Sequence, residues 1–473
     1  MRASKRVIIL GGGISGLAAG WHLTRQGGFE VKVLERAADI GGVCGSFEHN
    51  GFTLDYGAHK FYSLIPGIMD EVRSLMGEGL LELNKQNRIF LRGRLVDYPL
   101  SLGNLARVLG PGVFLKLGLG YALGMAKGLF SSGEPANYEQ FMINRFGRPA
   151  YELVFEPLAD KVWGEPSTLH PDMARTRIPA GSGLEVILKL LGLKKETKET
   201  SAPSFLYPRQ GFGALASALA QGIKNSGGQV LTGVEIERLM TEGETISGVE
   251  AKIDGEAAQW PCDLIVSTIP LKSLGGLLYS GDQNPLAQVL GGLEFRHVIM
   301  VYLFIKRPLV TQDQWIFFPE RRYIFSRLFE QKQMNPELGP PDRTALCCDF
   351  TCRPQDPLWQ APDADLVQRC LDGVVEAGFV KQEECYDSLV VRVPEFYPRY
   401  GQNYQDQVRR VTQSLTRFPN LILSGRLGLY NYNNADHCLD MGRIVAQRLS
   451  QGAAPAGVVQ ELMETVSSYR IVD

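Results

Sequence analysis

The chain of 473 residues is long enough for two or three domains, each with a hydrophobic core of its own. Apolar residues make up 44% and charged residues 21%, and this composition excludes an intrinsically disordered chain. Lysine and arginine number 49 against 51 acidic residues, a net charge of -2, so no overall field attracts nucleic acid or an anionic membrane. We therefore expect no nucleic-acid partner, and any anion must be recognised locally.

Cysteine usage and the N-terminus bear on the compartment. The eight cysteines show no paired C-x-x-C spacing, which favours a reducing, cytoplasmic location. The basic start of the chain is followed by an apolar run that breaks at Gly11, so we expect no signal peptide. The apolar stretch from Val108 to Phe130 contains Lys116, Lys127 and several glycines, which favours a buried or surface-resting helix over a membrane span. Peripheral membrane contact is the alternative for this stretch.

The first elements of the chain form a βαβ unit. Val7–Leu10 is a short β-branched run, helical spacing of apolar residues follows from Ile14 to Leu23, and a second strand runs from Glu30 to Leu34. The unit has the length expected of the dinucleotide-binding motif. We therefore predict the α/β class, with a Rossmann-like domain.

The remaining pattern predicts two interleaved domains. From about Pro66 to Lys194 the chain is interpreted as mostly helical, with apolar periodicity at 69–76, 113–129, 138–146, 150–162 and 184–191. The α/β pattern resumes after Gly211 and includes a hairpin at Asp254-Gly255, whereas the β-rich runs between Arg296 and Val393 indicate a separate mixed sheet. The predicted domains are a discontinuous nucleotide-binding domain (1–65, 203–290, 415–452), a substrate-binding domain (66–202, 291–414) and a tail (453–473).

Gly11-x-Gly13-x-x-Gly16 follows the first strand and opens the first helix. Gly11 permits the tight turn, Gly13 lets backbone amides approach a pyrophosphate at the positive end of the helix, and Gly16 allows close helix–strand packing. Glu35, at the end of the second strand, is positioned to accept the ribose hydroxyls. The predicted contacts of this loop also include Ile14, Ser15 and Arg36.

A second glycine pair follows at Gly41-Gly42, with Val43 next to it and Asp55-Tyr56-Gly57-Ala58-His59 beyond. This segment resembles the second FAD fingerprint of the glutathione-reductase-like flavoproteins. The resemblance implies FAD as cofactor, with contacts from Gly41, Gly42, Val43, Gly57, Ala58 and His59.

Later segments agree with an FAD site. By resemblance, Val234 brings backbone to the adenine, and Gly425-Arg426 closes a buried strand near the flavin. Asn434-Ala435-Asp436 leads into the last predicted helix, with Asp436 as its expected N-cap. A helix N-terminus there would stabilise negative charge that develops on the flavin.

Together these motifs resemble the flavin amine oxidase / protoporphyrinogen oxidase superfamily over nearly the whole chain. Several segments are similar to UDP-galactopyranose mutase and its uncharacterised relatives. In family order, the similar segments are 57–61, 144–147 through 151–152, 161–164, 177–179, 293–296 and 425–428 with Tyr430, Tyr432, Asn434 and Asp436.

The resemblance implies roles for four residues, each of which has a purely structural alternative. His59 would lie at the flavin, Trp163 would line a nucleotide-sugar pocket, and Arg177 and Arg296 would bind a diphosphate. These four are the candidate catalytic residues, and no metal-ligand cluster is evident in the sequence.

The chain departs from the mutase and amine oxidase patterns in several places. Leu158-Ala159 stands where the mutase has a tyrosine and a threonine, and Tyr207–Gly213 is instead similar to protoporphyrinogen-oxidase-like members. The lysine of the amine oxidases has no clear counterpart in His297–Met300.

Three hypotheses follow. The leading one is an FAD-dependent oxidoreductase that dehydrogenates a small molecule, with oxygen, a quinone or NAD(P) as the open second partner. The second is a redox-neutral rearrangement of a nucleotide sugar or a related anionic metabolite, with reduced flavin as the nucleophile. The third is a flavin-binding regulatory protein without chemistry. Substrate and oligomeric state stay open.

Overall fold

The computed structural model describes residues 4–98, 109–130, 133–177, 203–279 and 284–471. The strands, numbered in chain order, are β1 Lys5–Leu10, β2 Phe29–Leu34, β3 Ser46–His49, β4 Phe52–Asp55, β5 Leu80–Asn84, β6 Asn87–Leu91, β7 Arg94–Tyr98, β8 Ser204–Pro208, β9 Gln229–Leu231, β10 Val234–Glu242, β11 Thr245–Ile253, β12 Glu256–Pro261, β13 Leu264–Ser267, β14 Phe295–Ile305, β15 Trp315–Phe317, β16 Arg327–Glu330, β17 Thr344–Cys352, β18 Cys385–Pro398 and β19 Leu421–Leu423. The longer helices are Ile14–Gln26, Ile68–Met76, Pro111–Phe130, Tyr138–Phe146, Glu156–Trp163, Ala214–Asn225, Leu271–Leu278, Asp363–Glu376, Tyr404–Leu415, Ala435–Ser450 and Pro455–Ser468.

A five-stranded parallel sheet with the order β19-β13-β1-β2-β9 forms the first layer. Its strands are almost continuously apolar because helices cover the sheet, and Val7, Ile9 and Val266 are fully buried. The helix Ile14–Gln26 packs against the helices Ala214–Asn225 and Ala435–Ser450. The sheet thus combines three distant parts of the chain, and the α/β, Rossmann-like prediction is confirmed.

The register of this sheet brings four strand ends together. Leu10 pairs with Leu34 and with Ser267, and Ser267 pairs with Leu423. Because the strands are parallel, the loops that follow them emerge at one edge, where open α/β sheets bind their ligands. A ligand site is therefore expected at this edge.

The second layer is a seven-stranded mixed sheet with the order β18-β14-β17-β16-β15-β6-β7. The β15–β6 pairing is parallel and the other pairings are antiparallel. The interpretation of residues 66–194 as mostly helical is wrong for 80–98, which form β5, β6 and β7. The β6–β7 hairpin turns at Arg92 and Gly93, whose φ angles of 52° and 73° are typical of a two-residue hairpin turn.

Other predicted helices are confirmed. Tyr138–Phe146 and Asp363–Glu376 are helices, and a short π-helix at Tyr151–Phe155 leads into the helix Glu156–Trp163. The helix predicted at 184–191 lies outside the described residues. Within the ranges that the structure describes, no helix combines the length and apolar character needed to cross a bilayer.

The end of the chain forms a helix, Pro455–Ser468, that packs on Ala435–Ser450. Val458 and Leu462 are fully buried in this contact. Beyond it, the Tyr469 ring stacks on His437 with centroids 4.3 Å apart, and the Ile471 amide donates to the Thr176 carbonyl at 2.9 Å. The last residues therefore connect the first layer to the segment that contains Arg177.

Candidate active site

The first glycine loop has one crowded glycine and one open glycine. A Cβ on Gly16 would lie 2.0 Å from the Gly11 carbonyl oxygen, so the position admits glycine alone. Among the described residues, the nearest atom to a Cβ on Gly13 would be the Gly41 carbonyl oxygen, at 4.0 Å. The backbone at Gly13 therefore faces free space at the start of the helix, as an approaching pyrophosphate requires.

The second glycine loop lies directly against the first. The Gly41 amide donates to the Gly12 carbonyl at 2.8 Å, and Gly13 and Gly41 form a parallel β-bridge. Gly41 and Gly42 have φ angles of 105° and 56°, which favour glycine. The structure thus brings together the two loops that the sequence assigned to one ligand.

Glu35 lies at the rim of these loops. One carboxylate oxygen accepts from the Gly12 amide at 2.7 Å and the other from the Ala37 amide at 2.8 Å. The Val234 amide donates to the Glu35 carbonyl at 2.9 Å, which brings Val234 to the same rim, whereas Arg36 is exposed. Each carboxylate oxygen keeps further lone pairs for ribose hydroxyls.

The end of β19 lies on the opposite side of the glycine loops from Glu35. Gly425 has a φ of 80°, and a Cβ there would lie 2.6 Å from the Ser15 side chain, so this strand end contacts the start of the first helix. The helix Ala435–Ser450 begins beside it. Its N-cap is Asn434, whose side chain accepts from the backbone of His437, so the prediction of Asp436 as the N-cap is wrong.

Asp436 occupies the second position of the helix instead. Its side chain is buried, and burial raises the pKa of its carboxyl. The N-cap is Asn434 and not Asp436 because a capping residue must have non-helical dihedral angles. Asn434 is the last residue before the helix with extended backbone.

His59 lies behind the second loop. Its ring stacks on Phe212 with centroids 4.9 Å apart, and its Nε2 atom is 3.1 Å from the Tyr56 carbonyl oxygen. Burial lowers the pKa of His59, nearby Arg327 lowers it further, and Asp55 opposes both effects. The net lowering of the His59 pKa favours the neutral form of the ring.

Arginine and aromatic side chains form a continuous wall next to these loops. The Arg177 guanidinium carbon lies 4.6 Å from the Trp163 ring centroid and 3.9 Å from that of Tyr432. Tyr432 stacks on Tyr397 with centroids 5.0 Å apart and an angle of 2° between the rings. Arg426 completes the row, 4.9 Å from Tyr432 and 5.0 Å from Tyr397. We call Trp163, Arg177, Tyr397, Arg426 and Tyr432 the arginine–aromatic wall.

The wall contains buried polar atoms that the described protein leaves unsatisfied. The Nε and Nη2 atoms of Arg426 and the Nε1 atom of Trp163 are inaccessible to water and have no hydrogen-bond partner among the described residues. Such groups cost about 1–3 kcal/mol each when unpaired. Unpaired donors that persist beside a glycine cradle indicate that a ligand completes them.

Arg296 lies beside the segment that presents Trp163, and its guanidinium is held by neighbouring protein groups. Its guanidinium donates to the hydroxyl and the carbonyl of Thr351, both at 3.0 Å, and lies 3.9 Å from Asp356. The Thr351 hydroxyl in turn donates to the Val162 carbonyl at 2.7 Å, and Arg399 donates to the Trp163 carbonyl at 3.0 Å. By these contacts Arg296 supports the segment that presents Trp163 and does not join the wall.

Two residues at the site escaped sequence reasoning. Tyr397 lies near the end of β18, and Arg327 begins β16, where its Nε donates to Asp349 at 2.8 Å. A Cβ on Gly57 would lie 3.7 Å from Arg327, which places this half-buried cation beside the Gly57–His59 segment. Neither residue belongs to a motif, because sheet pairing alone brings them to the site.

Lys161 fixes the helix that ends at Trp163. Its Nζ donates to the carbonyls of Phe318 and Phe325 at 2.7 and 3.0 Å, and to that of Glu320 at 2.6 Å. Burial lowers its pKa to about 7.

We expect Lys161→Met to lower the free energy of unfolding by about 2 kcal/mol, because three carbonyls lose their donor. Urea denaturation measures this loss, and Lys224→Met, at an exposed lysine, is the control that should show no change.

His437 gives a second prediction, on pH. Burial lowers its pKa, although Asp436 and Asp440 raise it, so below pH about 6.5 the unfolded chain binds a proton that the folded chain resists. On acidification the wild type should lose up to about 1.4 kcal/mol per pH unit relative to His437→Gln. Glutamine keeps the capping position, and urea denaturation of both proteins across this range measures the difference. A constant difference would contradict the prediction.

Comparisons with known proteins were consistent with one another. A family model described as flavin containing amine oxidoreductase matches residues 14–449. Coproporphyrinogen III oxidase of Bacillus subtilis (strain 168) is 20% identical over 471 residues, which cover 93% of this chain and 96% of that protein. The structure of a reduced UDP-galactopyranose mutase aligns with a TM-score of 0.83 at 18% identity, covering 99% of this chain and 98% of that one. A putative protoporphyrinogen oxidase from Exiguobacterium sp. 255-15 aligns with a TM-score of 0.68 at 19% identity, covering 95% and 99%.

The residues present fit a flavin. The open backbone at Gly13 and the positive-φ pair Gly41-Gly42 make a cradle for phosphates, and Glu35 lies at its rim. The unpaired donors of Arg426 lie at the other end of the same edge, next to Gly425. A flavin group carries carbonyl oxygens and ring nitrogens that accept such donors.

Proposed function

Because the chain belongs to the flavin-containing amine oxidoreductase family and is a flavin-dependent enzyme, we propose that it dehydrogenates a small-molecule substrate with FAD as its resident cofactor. The observation that supports this proposal is the pair of buried guanidinium nitrogens of Arg426 without a hydrogen-bond partner among the described residues, at the end of the arginine–aromatic wall next to the glycine cradle. The guanidinium of Arg426 would contact the cofactor, and the other residues of the wall would contact the substrate.

We assign FAD to the two glycine loops and the strand ends around them. The proposed contacts are Gly11, Gly13, Ile14, Ser15, Gly16, Glu35, Arg36, Gly41, Gly42, Val43, Gly57, Ala58, His59, Val234, Gly425, Arg426, Asn434, Ala435 and Asp436. When bound, the flavin supplies the acceptor for the hydride that leaves the substrate.

The chain's own groups then set the electrostatics. Arg426 and the N-terminus of the helix Ala435–Ser450 bring positive charge to the place where negative charge develops on reduction. Neutral His59 can accept or donate a hydrogen bond without adding a second buried charge. Aromatic rings of the wall exclude water from the reacting face.

The wall also limits the substrate class. Trp163 and Tyr432 offer flat apolar surfaces. Arg177 lies between them, and its Nη1 donates to the Met173 carbonyl at 2.9 Å and to the Thr176 hydroxyl at 3.5 Å. The remaining donors of this guanidinium suit a carboxylate or phosphate. We therefore propose a substrate with an extended apolar or ring portion and at least one anionic group.

The experiment is anaerobic mixing of the FAD-loaded protein with a panel of candidates: a coproporphyrinogen, a phytoene-type polyene, a primary amine and UDP-galactopyranose. The proposal predicts that the coproporphyrinogen, a ring compound with carboxylates, bleaches the oxidised flavin absorbance and loses two hydrogens for each flavin reduced, whereas the polyene and the amine, which carry no anionic group, do not. Tight FAD binding without bleaching by any candidate class would overturn it in favour of a flavin-binding protein without chemistry.

The fold likeness to UDP-galactopyranose mutase supports a second candidate, a redox-neutral rearrangement of a nucleotide sugar. Trp163 and Arg177, which match mutase segments, lie together in the wall, whereas Arg296 does not join them. This candidate requires turnover that depends on prior reduction by dithionite and consumes no further reductant. Net oxidation of the substrate would exclude it.

A further inference from the structure

The helix Pro111–Phe130 exposes a row of large apolar side chains. Leu115, Leu119 and Leu123 are 64%, 59% and 66% exposed. Because they recur every four residues, they lie on one side of the helix. We call these three residues the leucine face. Contiguous exposed apolar surface of this kind marks an interaction site.

The opposite side of the helix is held by close packing. A Cβ on Gly120 would lie 2.4 Å from the Pro149 ring, and a Cβ on Gly124 would lie 2.9 Å from the Ile143 carbonyl oxygen. Val113 and Leu117 pack beside them against a buried cluster. The helix cannot rotate without losing these contacts, so the leucine face stays turned to solvent.

The sequence segment that contains the leucine face carries charge of one sign. The sequence from residue 98 to residue 133 contains no aspartate or glutamate, while it contains Arg107, Lys116 and Lys127. Lys116 is exposed and adjoins Leu115. This local excess of positive charge contrasts with the net charge of -2 for the whole chain. Basic residues on an exposed apolar helix favour an anionic lipid surface.

A second copy of the chain suits this surface less well. In a two-fold dimer the same patch meets itself, so the basic residues of both copies would come together with no acidic residue from segment 98–133 to pair with them. An anionic bilayer satisfies both features of the patch, because acyl chains accept the leucines and headgroup phosphates accept the lysines.

We propose that the leucine face docks the protein on an anionic membrane surface. The helix lies along the bilayer, with the leucines at the boundary between headgroups and acyl chains and Lys116 among the headgroups. The same helix packs on the segment Tyr138–Ala150, which leads to the helix of Trp163. Docking would therefore place the helix that ends at Trp163 on the membrane-facing side of the protein. This placement does not depend on which reaction the site performs.

Sedimentation of the full-length protein with vesicles tests the proposal. Vesicles of phosphatidylcholine mixed with phosphatidylglycerol should bind the wild type, and vesicles of phosphatidylcholine alone should bind it several-fold less. Leu119→Glu should reduce binding by about tenfold or more, because a charge would enter the apolar boundary. Lys116→Glu should reduce it by about tenfold, because two units of favourable charge are lost. Both residues are exposed, so neither change disturbs the core.

Leu309→Glu is the matched control, since Leu309 is 42% exposed outside this helix, and binding should stay at the wild-type level. Three outcomes would overturn the proposal: no sedimentation with either vesicle, equal loss in Leu309→Glu and Leu119→Glu, or a dimer in solution that Leu119→Glu dissociates while vesicle binding is absent. Circular dichroism confirms that each variant is folded.

Discussion

Replacing Gly13 by aspartate is expected to abolish FAD binding while leaving the apoprotein folded. Within the described chain, nothing lies nearer than 4.0 Å to a Cβ at this position. The residue is the N-cap of the first helix, with φ -74° and ψ 175°, a conformation in which aspartate is a favourable cap. The new carboxylate would occupy the space assigned to the pyrophosphate and repel it. We expect a loss of FAD affinity of about a hundredfold or more.

The matched variant is Gly13→Asn, which has the same size and capping ability without the charge. It should show a smaller loss of affinity, and the unfolding temperature of both apoproteins should equal or exceed that of the wild type. Isothermal titration with FAD and thermal unfolding of the apoproteins give the two readouts. Unchanged affinity in Gly13→Asp would show that the cofactor does not pass over this loop.

Replacing Arg426 by methionine is expected to slow flavin reduction by about 100-fold to 1000-fold, the effect of removing a preorganised donor from a site of developing negative charge. The flavin midpoint potential should fall as well, because a nearby positive charge favours the reduced form. The apoprotein should lose little stability. The lost cation–π contacts with Tyr397 and Tyr432 are offset by removal of two buried guanidinium nitrogens that have no hydrogen-bond partner among the described residues.

Arg177→Met separates the two roles proposed for the wall. It should weaken substrate binding and lower the flavin potential less than Arg426→Met does, since Arg177 stacks on Trp163 and Tyr432 whereas Arg426 directly follows Gly425 at the glycine loops. Potentiometric titration of the two holoproteins measures this contrast. An unchanged potential in Arg426→Met would contradict its assignment to the flavin side.

The first layer and its glycine loops were predictable from sequence because they depend on local chemistry. Gly16 tolerates no side chain, Gly41 needs a positive φ, and both requirements show in residue type and spacing. Adjacent motifs then converge because parallel strands end at one edge. The family resemblance extended this prediction to Gly425 and Arg426, which are distant in sequence.

The second layer was less predictable because its contacts are non-local. Strands β6 and β7 were interpreted as part of a helical region, although the Arg92-Gly93 turn was the signal for a hairpin. Tyr397 and Arg327 reach the site only through sheet pairing, which no spacing rule reveals. For Arg296 the residue type matched the family, but its Thr351 and Asp356 partners determine where the guanidinium points.

The central claim is that the arginine–aromatic wall faces the flavin across Arg426. A crystal structure of the FAD-bound protein tests it most directly. The claim predicts hydrogen bonds from the Arg426 guanidinium to the flavin ring system, with Trp163, Arg177 and Tyr432 lining the space in front of that ring. A flavin ring that lies away from Arg426, or a wall that is separated from the ring by protein, would contradict it.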